Sequence, residues 1–389
     1  MAFSKKTVRD IDAKNKTVLV RASLNVPIEG DKVVDDLRLK AVIPTLQYLI
    51  DQGAKLVLVS HHSTEGQSLA PVAPVLSKLL SREVRFMPDC IGPATEAAVK
   101  AMQPGDVLMF ENLRFHKEEE ANDVDFAKQL AAMGELYVDD DFTTTHREHA
   151  SIVGIPKLLP AVAGFQIEQE VDTITKAMEN PKQPLLVIVG GAKVSTKIDF
   201  INNFLGKAQA MFIGGAMANT FLAANGVNIG KSIFEQSEIQ NAKNIQQTAE
   251  GKKVSLLLPV DVVVTDNIKA ASGVRSCDVG DVGPNEIIAD LGPRSVEQVQ
   301  SVLDQKSTVI WNGPLGITEK PVFAASSVDL AKRIIASGAD SIVGGGDTAA
   351  FVDGQDLHDK FGFVSTGGGA SLELMSGKKL PGIECLLDK

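Results

Sequence analysis

Short β-branched or aliphatic runs alternate with amphipathic stretches along nearly all of this 389-residue chain. That alternation is the pattern of parallel sheets covered by helices on both faces, an α/β fold. In the first half the strand runs are 17–25, 56–60, 84–87, 107–111 and 136–142. In the second they are 185–190, 210–214, 254–264, 308–312, 340–344 and 363–366. Between the sets, residues 168–180 carry Val171, Ile174 and Met178 at helical spacing before Pro181 interrupts, which predicts a connecting helix. The length exceeds one ordinary core, so two domains of about 150–200 residues each are expected.

Composition removes several classes. With 44% apolar and 23% charged residues the chain reads as globular rather than disordered. No apolar run reaches the ~20 residues of a membrane-spanning helix, and the charged residues 1–10 have no signal-type apolar segment behind them. No membrane partner and no export are therefore expected. The three cysteines, Cys90, Cys277 and Cys385, are far apart, odd in number and in no metal-type spacing, which predicts inert packing residues in a reducing cytoplasm. A net charge of −10 argues against a nucleic-acid partner. An anionic substrate would need a local basic cleft, screened from the global charge over roughly 8 Å.

In open parallel sheets ligands bind beyond the carboxyl ends of the strands, and the unusual motifs fall there. Gly344-Gly345-Gly346-Asp347-Thr348 follows an apolar strand and opens a helix. Its glycines let the backbone approach a phosphate, and Asp347 offers a hard oxygen for Mg²⁺. A plain tight turn is the equal alternative for this motif alone. The pattern returns at Thr366-Gly367-Gly368-Gly369-Ala370-Ser371, and two such turns favour a polyphosphate site. Gly190-Gly191-Ala192-Lys193-Val194-Ser195-Thr196-Lys197 places two lysines four apart, which on a helix would put both ammonium groups on one face. Gly226-Val227-Asn228-Ile229-Gly230-Lys231-Ser232 imitates a phosphate loop but is one residue short and follows a helix-like segment. The first half offers Arg21, Arg38, Arg114 and Arg147, whose planar guanidiniums suit carboxylate and phosphate. His146-Arg147-Glu148-His149, with Asp139 to Asp141 before it, does not match the zinc pattern His-Glu-x-x-His, and hydrogen-bonding histidines are commoner.

From Val18 to Leu380 these motifs resemble those of phosphoglycerate kinases in order and spacing. They are Asn25-Val26-Pro27, Ser68-Leu69-Ala70-Pro71-Val72, Glu111-Asn112-Leu113-Arg114-Phe115, Gly190-Gly191-Ala192-Lys193-Val194, Leu258-Pro259-Val260-Asp261, Trp311-Asn312-Gly313-Pro314, Gly344-Gly345-Gly346-Asp347-Thr348-Ala349 and 365–373. The resemblance implies two Rossmann-like three-layer domains with parallel sheets joined by a hinge helix. Its domains would be an acceptor domain over 1–168, the helix over 169–180, a nucleotide domain over 181–375 and a tail over 376–389 returning to the first domain. It also implies a monomer that moves a phosphoryl group reversibly between 1,3-bisphosphoglycerate and ADP, with Mg²⁺ and ATP or ADP as cofactor and co-substrate. By the same resemblance the nucleotide positions are Gly191, Ala192, Lys193, Lys197, Gly215, Gly292, Asn312, Glu319, Gly345, Gly346, Asp347 and Thr348, with Asp347 at the metal. The acceptor positions are Arg21, Ser23, Leu24, Asn25, Arg38, His61, His62, Ser63, Thr64, Arg114 and Arg147. Arg38, Lys193 and Lys197 would be catalytic.

The acceptor half departs from the family pattern. Ser23 stands where the family has an acidic residue, Thr64 where it has an arginine, and Glu65, Asp139, Asp141 and Glu148 are new carboxylates. On the nucleotide side Ala216 replaces a glycine and Thr318 the usual Phe. One charge-assisted contact is worth roughly 1.5–3 kcal/mol. Three readings follow: a phosphoglycerate kinase, a carboxylate kinase with a less anionic acceptor, and a nucleotide-binding protein without turnover.

Overall fold

Strands with no polar alternation can be satisfied only in a sheet buried on both faces, and the chain builds two. The computed structural model describes residues 3–303 and 307–389. In chain order the strands are β1 (Thr17–Ala22), β2 (Ile28–Glu29), β3 (Lys32–Val33), β4 (Lys55–Val59), β5 (Val84–Met87), β6 (Val107–Phe110), β7 (Leu136–Asp140), β8 (Ala161–Ala163), β9 (Leu185–Val189), β10 (Ala210–Ile213), β11 (Ser255–Leu257), β12 (Asp261–Thr265), β13 (Arg275–Asp278), β14 (Ile287–Leu291), β15 (Thr308–Asn312), β16 (Asp340–Gly344) and β17 (Phe363–Val364). One parallel sheet runs β5-β6-β4-β1-β7-β8 and the other β11-β10-β9-β15-β16-β17. The central strands β1, β9 and β15 are buried at every position.

The chain divides into two compact units. One holds the residues up to Asp172 together with Lys379–Lys389, and the other is Thr173–Lys378. The division falls inside the helix Phe165–Glu179, which begins three residues before the helix read from the sequence. No helix among the described residues is long and apolar enough to cross a membrane.

The differences from the sequence reading have local causes. The single run expected over 254–264 is two strands in different sheets, because Pro259 lies between them and has no N–H for a ladder. β12 leaves the parallel sheet and pairs antiparallel with β13 and β14. β13 is mostly exposed, and so carries little apolar signal. The β2–β3 hairpin and the short β8 were too brief to read.

The first sheet needs its β8 edge covered, since an open edge invites pairing with another chain. Thr7 bridges to Ala163, and the Leu387 N–H donates to the Ala161 carbonyl at 2.9 Å. Lys5 Nζ then donates to the carbonyls of Glu384 and Leu386, both at 3.1 Å, and pairs with Asp388 at 2.7 Å. Leu386 is 3% exposed beneath this strap. Leu386→Ala is expected to cost the first unit about 2–5 kcal/mol, read as a lower urea midpoint for that unit.

Candidate functional site

In the second unit the ends of β9, β10 and β15 lie backbone against backbone. A Cβ on Gly190 would stand 2.2 Å from the Pro314 carbonyl oxygen, and one on Gly313, at φ +100°, would stand 2.3 Å from the Gly190 carbonyl carbon. The Gly190 and Gly191 amides donate to the carbonyls of Asn312 and Pro314, each at 2.9 Å. Trp311, fully buried, locks the same turn by donating its Nε1–H to the Gly313 carbonyl at 2.8 Å. No side chain fits between these turns, and the space above them is open.

A cavity of about 230 Å³ lies there, lined by Gly191, Ala192, Gly215 and Ala216 on its small-residue side. Ile233, Ile268, Ile287 and Ile317 give it an apolar wall, and Glu319 and Asp347 supply carboxylates. An apolar slot of this kind suits a planar base, with polar groups at its margin fixing orientation. The isoleucines were missed in the sequence because they come from four separate segments with no shared motif.

Beside the cavity, Gly345 turns at φ +92° into the helix Gly346–Gly354, with Asp347 exposed in its first turn. Free amides at a helix start attract anions. Thr348 is buried and its Oγ1 accepts the Gly313 N–H at 2.7 Å, so its hydroxyl ties this turn to the β15 turn. The Asn312 side chain is fully buried with neither amide atom hydrogen-bonded, and its Nδ2 lies 3.0 Å from where a Gly345 Cβ would be. A buried polar group left unpaired costs about 1–3 kcal/mol, and a ligand at this turn would relieve it.

The lysines are not on a helix. Residues 191–197 form turns, Lys193 is exposed, and Lys197 is the cap preceding the helix Ile198–Phe204. Glu235, forty residues away in sequence, clamps the turn by accepting Ser195 N–H at 3.0 Å and Ser195 Oγ–H at 2.6 Å. Burial pulls the Lys197 ammonium down to about 8, partly opposed by the Asp347 carboxylate. Gly292 does not line the cavity. It caps the helix Pro293–Glu297 and presses on Asp261, whose carboxylate would be 2.2–2.6 Å from an added Cβ.

In the first unit the arginines have different fates. Arg21, next to Asp139 in the β1–β7 register, is wholly buried. Its Nη1 is paired with Asp141, its Nε donates to Ser151 Oγ at 2.9 Å, and its Nη2 faces His61 Nδ1 at 3.4 Å. The guanidinium is thus engaged inside the protein by Asp141, Ser151 and His61. Burial alone would lower its pKa; Asp141 and Asp139 outweigh that and raise it. Asp141 is pushed upward by burial, but Arg21, with help from the Thr143 hydroxyl, holds its carboxyl below the usual range. It also accepts the hydroxyls of Thr143 at 2.5 Å and Thr144 at 3.1 Å. Asp139, fully buried with Oδ2 unpaired, is pushed up to about 7 by burial. Asp140 instead takes the Gln166 N–H at 2.8 Å.

Because an arginine has no lone pair, His61 Nδ1 must accept, which leaves the ring neutral with its proton on Nε2. Burial and then Arg21 keep its pKa well below the ordinary value. His62 is spent on structure: Nε2 meets the Val26 carbonyl at 3.0 Å, and Nδ1 accepts the Thr64 N–H at 3.1 Å. Leu24 is also structural, fully buried in the apolar core. Ser23 is 1% exposed with Oγ unpaired. Asn25 Oδ1 accepts both the N–H and the hydroxyl of Ser63 at 3.2 Å, and Thr64 is exposed.

Three arginines remain available. Arg38 is half-buried and donates Nη1 to the Asn25 carbonyl at 2.8 Å, which aims the group. Arg114 Nε lies 3.0 Å from Glu120 Oε1 in an ion pair, and Nε and Nη2 are buried without a hydrogen bond among the described residues. Burial lowers its pKa. Arg147 is half-buried, and burial followed by Arg147 pulls His149 down to about 4.

Two α/β units with parallel sheets, one with a slot above glycine turns, define a nucleotide-binding class of protein. The family model described as Phosphoglycerate kinase matches residues 8–378. A phosphoglycerate kinase of Moorella thermoacetica is 44% identical over 393 residues, covering 100% of both chains. The structure of phosphoglycerate kinase from Coxiella burnetii is 38% identical with a TM-score of 0.87, and that from Pyrococcus horikoshii 30% identical with 0.83, each covering 98% of both chains. The chain belongs to the phosphoglycerate kinase family.

The Arg21–Asp141 pair makes a quantitative test. Removing one partner of a buried pair strands a charge, at about 3–5 kcal/mol, whereas replacing both by apolar groups is often neutral. Arg21→Met is expected to cost that amount and Arg21→Met/Asp141→Leu to recover most of it, measured by chemical denaturation.

Proposed function

We propose that this protein catalyses reversible phosphoryl transfer between ATP and the carboxylate of 3-phosphoglycerate, the product pair being ADP and 1,3-bisphosphoglycerate. The observation that carries the reading is the apolar slot over the β9, β10 and β15 turns, with Lys197, Asp347 and the unpaired Asn312 amide around it. The slot takes the base, and the helix start at Gly346 takes the phosphates. Gly191, Ala192, Gly215 and Glu319 complete the nucleotide contacts, with Lys193 beside the phosphates. Asp347, an exposed carboxylate in a helix's first turn, fits Mg²⁺ as a hard oxygen ligand. When bound, that ion neutralises charge on the phosphate oxygens.

Such a transfer asks the protein for positioning and charge neutralisation rather than covalent work. Lys197 supplies an ammonium at neutral pH, and Arg38 supplies a guanidinium aimed by the Asn25 carbonyl. Arg114 and Arg147 hold the anionic end of the acceptor, and His61 offers an Nε2–H donor. Ser23, Asn25, Ser63 and Thr64 shape the rest of that site. The same reading makes the protein a cytoplasmic monomer acting on small molecules, with no nucleic-acid or membrane partner.

A coupled assay with MgATP and 3-phosphoglycerate tests the proposal: turnover supports it, and nucleotide binding without turnover of this acceptor overturns it. The acceptor-side differences place their effect in KM for 3-phosphoglycerate. Thr64→Arg is expected to lower that KM about ten- to a hundredfold, the value of one charge-assisted contact, with KM for MgATP unchanged.

The pH dependence follows from Lys197. Below about 8 it is an ammonium in the folded and unfolded chain alike, and its burial penalty is present in full; between 8 and 10.5 the folded chain loses the proton first and the penalty is relieved. The ammonium that attracts phosphate is lost over the same range. MgADP affinity is therefore expected to fall as pH rises through about 8, and Lys197→Met to flatten that profile in calorimetric titrations.

A further inference from the structure

Outside both sites, one group of three metal-type side chains comes together among the described residues: Asp89, Cys90 and His116, with ligand atoms all within 4.8 Å of one another. Asp89 and Cys90 follow the end of β5, and His116 follows the turn Leu113–Phe115. We propose that these residues form a binding site for a borderline-soft divalent cation of the zinc type.

The Asp89 carboxylate is already oriented. Its Oδ1 accepts the Cys90 N–H at 2.7 Å, the Ile91 N–H at 3.4 Å and His116 Nε2 at 2.8 Å. Among the described residues no donor reaches Oδ2, which leaves that oxygen for a ligand. The His116 ring is held in place against Phe126, with centroids 5.3 Å apart. Cys90 is 1% exposed, and its Sγ lies in the cluster. The sulfur thus stands within 4.8 Å of an imidazole nitrogen and a carboxylate oxygen, and burial pushes the unliganded thiol up, so a bound cation would have to supply the charge that stabilises the thiolate.

The donor set selects the ion. Thiolate and imidazole suit zinc, whereas magnesium and calcium require oxygen ligands. Zinc bonds of about 2.0–2.3 Å in a tetrahedron ask the donors to close by roughly an ångström, and Asp89 and His116 are exposed enough to do so, at 53% and 26% for their side chains. A water would take the fourth position. On binding, the Cys90 S–H bond breaks, its electron pair forms the sulfur–metal bond, and the proton leaves to solvent; His116 binds through neutral Nε2 and shifts its contact with Asp89 Oδ1. The spacing hid this cluster in the sequence, because the cysteine has no second cysteine and its histidine comes from another strand end.

The test uses the full chain stripped with chelator and titrated with Zn²⁺ and Cd²⁺, with Mg²⁺ as the control. One ion per chain, a thiolate-to-cadmium charge-transfer band and release of a proton are expected, with Mg²⁺ failing to compete. Cys90→Ser should abolish the band, and His116→Gln and the exposed Asp89→Asn should each weaken Zn²⁺ at least tenfold. Cys277→Ser and Cys385→Ser should leave both readouts unchanged. Absence of the band in the unmodified chain, its persistence in Cys90→Ser, or unaltered Zn²⁺ affinity in a folded Asp89→Asn would overturn the proposal.

Discussion

Close backbone approach at the ends of β9, β10 and β15 is the constraint on which the second unit depends. Gly190 and Gly313 sit where an added Cβ would fall within 2.4 Å of a facing carbonyl group. Their amides and carbonyls join the turns directly, and Trp311 fastens the Gly313 turn to the core below. The open space above that floor exists because no side chain rises from it, and the apolar wall and the charged groups are arranged around it.

The first unit is organised by charge. One buried guanidinium, Arg21, faces Asp141 and Asp139, and its Ser151 contact leads to the buried Glu119. One cation among three carboxylates in a medium of low dielectric leaves two of them with weakened acidity: burial raises the pKa of Glu119, and burial moves that of Asp139 to about 7. Asp141 keeps its charge because it holds the direct contact with Arg21. His61 is neutral for the same reason, since the cation on its Nδ1 side forbids a second one.

Much of this was legible before any coordinates. The apolar runs gave the strands of both parallel sheets apart from the edge strand β8, with β5, β15 and β16 at their observed bounds, because a strand buried on both faces leaves an uninterrupted apolar signature. The glycine turns were also readable, since glycine is what tight strand-to-helix turns and close backbone contact require. The antiparallel β12–β13–β14 sheet was not, because β13 is exposed and Pro259 breaks an apolar run without announcing a change of sheet. Around the slot, Asp347 and Lys197 lie in motifs legible in the sequence, while Ile268, Ile287 and Glu235 do not, as each is one ordinary residue in an ordinary segment.

The sequence by itself determined the architecture and the chemistry at the strand ends, since periodicity and glycine placement are local properties of the chain. Which charged groups remain available was decided only by tertiary structure. Arg21 and Arg38 read alike as letters, yet β1 carries the first into a closed core beside Asp141 and leaves the second half-exposed on a helix. Leu24 and His62 entered as site residues and are spent on packing and backbone bonds, whereas Cys90 entered as packing and meets Asp89 and His116. Burial and pairing depend on neighbours distant in the chain, and no local pattern encodes them.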